Sequence, residues 1–201
     1  IYPAAITELN EALAYLLDNA DRLRIDPDNI VFAGDSAGSQ LSAQLATAIT
    51  NPTFASTMGM TPSLSADQLQ AVVLNCGIYD VSGIPNAPGL GGWGFRVALW
   101  AYIGVKDWSN TPGGEQMSVI DDVTAEFPRT WISGGNADPL TATQSVPFAQ
   151  RLAELGVETT TLFYPDDQVE QLPHEYQFHL DFEQARSAFT STVQFLHGIN
   201  Q

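Results

Sequence analysis

The pentapeptide Gly34-Asp35-Ser36-Ala37-Gly38 constrains this chain more than any other stretch. It follows an apolar run, Ile30-Val31-Phe32-Ala33, and opens a segment with Leu41, Leu45, Ala48 and Ile49 at helical spacing. The pattern predicts a strand, a sharp turn and a helix, with a serine at the apex. Such a turn holds the serine backbone in a sparsely populated conformation, at a cost on the order of 1–3 kcal/mol. Glycine on either side leaves space for strand and helix to approach. The hydroxyl is lifted clear of the backbone, and the Ala37 amide lies at a helix N-terminus, where negative charge is favoured. A bare Gly-x-Ser-x-Gly arises often by chance. The strand before it and the helix after it mark Ser36 as a nucleophile rather than an ordinary turn serine.

The 201 residues are 44% hydrophobic, which suits one domain spanning 1–201 with a sizeable core. A chain this long buries roughly 70% of its unfolded surface. The formal charge of −16, from 23 acidic and 7 basic residues, argues against nucleic acid or an anionic membrane as partner. No apolar run is long enough to span a membrane and no signal peptide is visible, so a cytoplasmic location is the expectation. The chain opens on Ile1-Tyr2-Pro3 without Met, and a leader in a preceding segment is compatible with that reading. Cys76 is the single cysteine, so no internal disulfide forms. It closes the apolar run Ala71-Val72-Val73-Leu74-Asn75-Cys76 and reads as a buried strand residue.

Residues 5–20 carry Ile6, Leu9, Leu13, Leu16 and Leu17 at helical spacing, and Asp26-Pro27-Asp28 makes a turn. A strand at 29–33 leads into the serine turn, and a helix runs to about Thr50. Residues 51–68, rich in Pro, Thr, Ser and Met, read as loop. A second buried strand covers 69–76. Residues 83–114 then form a glycine-rich, aromatic excursion holding Pro85, Pro88, Trp93, Phe95, Trp100, Tyr102 and Trp108. Its glycines argue against one long helix, and a short helix near 95–103 is expected. This excursion reads either as plain packing over one sheet end or as a lid or pocket wall. In the second case Trp93, Phe95, Trp100 and Tyr102 supply apolar surface to a substrate. A third strand is predicted at 129–134, then a helix capped by Ser145 and running to Leu155, with Gly156 as its stop. The β-branched run 157–164 is a fourth strand, and a polar loop leads to His174. The last helix spans about 182–196, with Phe182, Phe189, Val193 and Leu196 inward. Buried strands alternating with amphipathic helices indicate an α/β fold with a mostly parallel sheet flanked by helices.

A serine hydroxyl attacks only when a neighbouring base takes its proton. The histidines are His174, His179 and His197. His197 falls at the end of the last helix and reads as a C-terminal cap, and His179 lies where that helix begins. His174 follows a strand and a loop, where a parallel sheet presents its reactive groups. An acid must fix the base's tautomer. Asp138, in the loop after the third strand, fits best, with Asp80 as runner-up. Asp121 and Asp122 precede that strand and belong at its opposite end. The order Ser36, Asp138, His174 is the one found on the α/β-hydrolase fold.

The Gly34–Gly38 turn, Asp138-Pro139-Leu140, Leu172-Pro173-His174-Glu175-Tyr176 and the leading Tyr2-Pro3-Ala4-Ala5 together resemble the hormone-sensitive-lipase-like esterases, a group of α/β-hydrolases. The resemblance covers nearly the whole chain. It implies Ser36 as nucleophile, His174 as general base then acid, Asp138 as its orienting partner and Ala37 as an oxyanion-hole amide. The implied reaction is hydrolysis of a small-molecule carboxylic ester through an acyl-enzyme, with no cofactor and no metal. A homodimer formed by edge pairing of strand 157–164 is suggested by the same resemblance. Two departures stand out. Ser39 replaces the glycine usual after the turn. The family's His-Gly-Gly-Gly segment, which supplies further oxyanion amides upstream of the nucleophile, is missing, and the first strands are absent with it. A longer polypeptide is therefore expected, because a parallel sheet lacking its early strands exposes an apolar edge. The leading expectation is a serine carboxylesterase for short or medium acyl esters. The alternatives are a non-catalytic binder of a small ligand, or a disabled truncated chain, and an amidase or peptidase using the same residues.

Overall fold

The computed structural model describes residues 1–84 and 89–200. Pro85 and Pro88 of the predicted excursion lie outside the described residues. Four parallel strands form one sheet in the order β1-β2-β3-β4: β1 Ile30–Asp35, β2 Leu69–Asn75, β3 Arg129–Gly134 and β4 Thr159–Phe163. Around them pack α1 Ala4–Asp18, α2 Ala20–Leu23, α3 Ala37–Thr50, α4 Pro52–Thr57, α5 Gly89–Ile103, α6 Pro112–Met117, α7 Val146–Glu154 and α8 Glu183–His197.

The central strands carry continuous apolar runs because both of their faces are covered. Side chains alternate across a strand. Val72, Leu74 and Ile132 therefore face one core with Ile6, α3 and the Phe148–Leu152 face of α7. Ala71, Val73 and Trp131 face the other, with Ala185, Ala188 and Phe195 of α8. Fully burying each of these larger side chains stabilises the fold by roughly 1.5–3 kcal/mol. β1 and β4 lie at the sheet edges, and Thr160 and Thr161 of β4 are exposed.

Several expectations change. Residues 51–68 are not all loop: Asn51 Oδ1 accepts the Thr53 and Phe54 amides at 3.0 and 3.2 Å and starts α4, with Pro52 at its first position. α5 begins at Gly89 rather than near 95. Glycine costs about 1 kcal/mol each in a helix interior. Burial of Leu99, with Phe95, Tyr102 and Ile103 packed beside it on a third cluster of Ile78, Val81, Ile84, Trp108, Met117 and Leu140, offsets that cost. Ser145 does not cap a helix. It ends a π-helical turn, Thr141–Ser145, that runs straight into α7. Gly156 does terminate this element, at φ 80°. Phe189 points to solvent, 63% exposed, and Phe195 takes the inward place. The small Ala185 and Ala188 let α8 approach Trp131, whose Nε1 donates to Ser191 Oγ at 3.0 Å.

Candidate active site

The serine turn is built as its sequence predicts. β1 ends at Asp35, α3 starts at Ala37, and Ser36 between them sits at φ 49°, ψ −117°. A β-carbon on Gly34 would lie 2.3 Å from the Gly38 carbonyl carbon and oxygen, so only glycine fits there. Gly38 differs: its nearest neighbour to such an atom is Asp35 Oδ1 at 3.8 Å, and the close approach does not depend on it. The Ser36 amide donates to the Asn75 carbonyl at 2.9 Å. Ser39, the departure from glycine, is fully buried, with its hydroxyl 2.8 Å from the carbonyl oxygens of both Gly34 and Asn75. It ties the turn to the end of β2.

His174 arrives on the loop after β4. Buried Leu172 and Tyr176 flank it and pin the segment to the sheet. Tyr176 OH lies 3.1 Å from Ser133 Oγ, which also accepts from Gln177 Nε2 at 2.7 Å. Asp138 follows β3, its carboxylate wholly out of solvent, with Oδ1 accepting the Leu140 amide at 2.9 Å. His174 Nδ1 meets Asp138 Oδ2 at 2.9 Å, and Nε2 lies 3.0 Å from Ser36 Oγ. Ser36, His174 and Asp138 thus form one hydrogen-bonded relay. The buried carboxylate raises the His174 pKa well above its usual 6.5; the nearby Cys76 thiol acts in the same direction, and partial burial opposes both. The ring remains about one-third exposed.

Asp80 is not part of the relay. Its Oδ1 accepts the Ser82 amide at 2.8 Å, and its backbone is clamped by the buried Gln144, which accepts the Tyr79 and Asp80 amides and donates to the Asp80 carbonyl, each at 2.9 Å. His179 is exposed, its ring 6.0 Å from that of Phe182, and His197 occupies the exposed last turn of α8. Ala37 is the first residue of α3 and is exposed.

The four aromatics of the excursion separate. Phe95 lines a cavity of about 700 Å³ with Asp80, Ile84, Pro139, Leu140 and Gln144. Pro139 and Leu140 directly follow Asp138, which sets this cavity beside the relay. Trp93 and Trp100 line a different, shallower groove with Arg96 and Lys106. Tyr102 turns inward and packs edge-to-face on Tyr2 at 5.8 Å.

One residue stands closer to the relay than sequence reasoning placed it. Cys76 is fully buried, as expected, yet it lies one residue past β2 at φ 41°. A ligating atom from each of Cys76, Asp138 and His174 lies within 4.8 Å of the other two. Only its position at the end of a strand beside β1 hinted at this.

A sheet of this topology with such a relay at its carboxyl edge defines an α/β-hydrolase. The BD-FAE family profile matches residues 1–152, and the chain belongs to that family. It is similar to esterase LipQ of Mycobacterium tuberculosis, 27% identical over 164 residues, which are 80% of this chain and 37% of LipQ. Among solved structures it resembles esterase B from Lactobacillus rhamnosis at 19% identity and TM-score 0.75, covering 96% of this chain and 60% of that one. Esterase LipW from Mycobacterium marinum follows at 24% and 0.72, covering 98% and 58%. An acetyl ester-xyloside bifunctional hydrolase from Caldicellulosiruptor lactoaceticus matches at 17% and 0.73, covering 99% and 67%. The chain thus spans little over a third of the curated relative and about 60% of the first two structural neighbours. Among the described residues no helix is long and apolar enough to cross a membrane.

Proposed function

We propose that this chain carries the catalytic triad of a serine carboxylic-ester hydrolase. The observation that supports this best is the unbroken relay from Ser36 Oγ through His174 to the buried Asp138, at 3.0 and 2.9 Å. As Oγ attacks the ester carbonyl, His174 Nε2 takes its proton. Asp138 stays ionised and stabilises the imidazolium. The Ala37 amide, at the start of α3, donates to the oxyanion. His174 then protonates the departing alkoxide, leaving an acyl-Ser36 ester. Water, deprotonated by the same ring, releases the acid. The cavity floored by Leu140 and walled by Phe95 suits a short or medium acyl chain. The esterase names of the relatives support the same reaction class. A second copy of the chain would find its pairing edge at β4, with Thr160 and Thr161 exposed.

The test is hydrolysis of p-nitrophenyl esters from acetate to octanoate, with fluorophosphonate labelling alongside. Turnover and labelling that both vanish in Ser36→Ala are expected. Ligand binding without labelling would identify a non-catalytic binder instead, and equal turnover in Ser36→Ala would end the proposal.

A further inference from the structure

We propose that Cys76, His174 and Asp138 form a binding site for a thiophilic divalent cation such as Zn²⁺, and that its occupation silences Ser36. A thiol, an imidazole and a carboxylate converge there, with one ligating atom of each within 4.8 Å of the others. These are the three side-chain types that bind zinc in proteins. Bond lengths of about 2.0–2.3 Å in a tetrahedral shell put neighbouring ligand atoms about 3.3–3.6 Å apart. The imidazole–carboxylate edge through Nδ1 measures 2.9 Å and the thiol lies within 4.8 Å of both partners, so side-chain rotation is what closes the shell. A fourth position remains for water. One thiolate and one carboxylate balance the charge of the ion, which suits a site where both side chains are shielded from solvent.

The backbone holds the thiol in this place. Cys76 sits at φ 41°, a region that side chains other than glycine seldom adopt. Its amide donates to the Ser133 carbonyl at 2.8 Å. Gly77 follows, where a β-carbon would come within 2.3 Å of the Tyr79 hydroxyl and 2.6 Å of Ser39 Cβ. The chain therefore cannot slide by one residue to relieve the strain. Backbone strain of this kind collects where a side chain must be aimed. Cys76 and Asp138 are buried, and His174, about one-third exposed, is the member of the trio that solvent reaches.

The protons account for the inhibition. Binding releases the thiol proton to solvent, since the thiolate is the ligand. An ion on His174 Nε2 occupies the lone pair that must accept the Ser36 proton. An ion on Nδ1 takes the place of the proton there and leaves the ring N–H on Nε2, facing Ser36 as a donor. Either way the general base is gone. No bond to carbon is made or broken and no electron moves, so removing the ion restores the relay.

The loss of turnover rests on the esterase reading, whereas ion binding does not. Two measurements on the full chain separate them. Titration with Co²⁺ is expected to give a thiolate-to-metal charge-transfer band, in the parent and equally in Ser36→Ala. The band disappears in Cys76→Ser and in Cys76→Ala, the second variant guarding against a fold disturbed by the first. Titration with Zn²⁺ is expected to inhibit ester hydrolysis reversibly, with EDTA restoring it. Relative to its own metal-free rate, each Cys76 variant should need at least tenfold more Zn²⁺ for half-inhibition. Mg²⁺ and Ca²⁺, which the acidic surface attracts without selectivity, should not substitute. Absence of the charge-transfer band in the parent, or equal Zn²⁺ sensitivity in the Cys76 variants, overturns the site. A band in a protein that hydrolyses no ester would instead uphold the site and remove the esterase reading.

Discussion

The side chain of Asn136 accepts the Leu172 amide at 2.9 Å and so fastens the loop that carries Asp138 to the loop that carries His174. The Ala137 amide returns the link to the Leu172 carbonyl at 3.0 Å. The Asp138 and His174 loops are thus joined at two points. Asn136→Ala removes one of these two ties and leaves the Leu172 amide short of a partner. A stability loss of about 1–3 kcal/mol is expected from the unpaired group. A fall in kcat of roughly tenfold, with little change in KM, is expected from the misplaced ring. Denaturant melts and steady-state kinetics on one ester check both. A KM effect larger than the kcat effect would mean that Asn136 acts on the substrate rather than on the relay.

The pH profile follows from the direction of the His174 shift. In the proposed reaction His174 must be neutral to accept a proton, and Asp138 raises its pKa above 6.5. Activity should therefore fall as the pH drops, with the acid limb of kcat/KM centred above 6.5. Asp138→Asn removes the charge that holds the imidazolium. The limb should move to lower pH, and turnover should drop by about 10³–10⁴-fold. A limb that stays in place would mean that another group sets it.

The two glycines of the serine turn should respond in opposite ways. Gly34→Ala drives a methyl group into the Gly38 backbone at 2.3 Å and should cost at least about 3 kcal/mol, or prevent folding. Gly38→Ala meets nothing nearer than 3.8 Å and lies in the first turn of a helix. It should stay within about 1 kcal/mol of the parent, on the stabilising side. Thermal melts of the two variants decide it.

Chain-length preference should depend on Phe95 and not on Trp93. Phe95→Ala opens the cavity beside Leu140. It should raise the octanoate-to-acetate ratio of kcat/KM by about tenfold, the equivalent of about 1.4 kcal/mol of added apolar contact. Trp93→Ala alters a separate groove and should leave that ratio within about twofold. A matching change in both variants would place the acyl chain elsewhere.

The parts of the molecule that could be read from sequence are those where one local pattern has one solution. The turn at Ser36 is forced by its flanking periodicities, and Val72–Leu74 is apolar throughout because β2 is covered on both faces. Asp138 was legible as a residue in the loop after a strand, and His174 as one that follows a strand and a polar loop. What escaped depends on neighbours distant in sequence. Phe189 and Phe195 are equally apolar, and only the close fit of Ala185 and Ala188 against Trp131 decides which of them is buried. The glycines of α5 oppose a helix locally, and the cluster around Leu99 overrides them. Cys76 read as one more core residue, because a positive φ leaves no trace in the identity of a cysteine. The Asn51-Pro52 pair, by contrast, was an available helix-start signal.

Ser36 and Cys76 directly follow β1 and β2, whereas Asp138 and His174 stand further out, on the loops after β3 and β4. Strand pairing therefore sets the first two positions, while the loop ties through Asn136 and Ala137 carry His174 back across the sheet edge to Ser36. The excursion after Cys76 carries its own small core and meets the sheet's loops at Leu140 and Gln144. Under the esterase reading, exchanging the excursion for a different sequence is expected to shift acyl preference while Ser36, Asp138 and His174 stay in place.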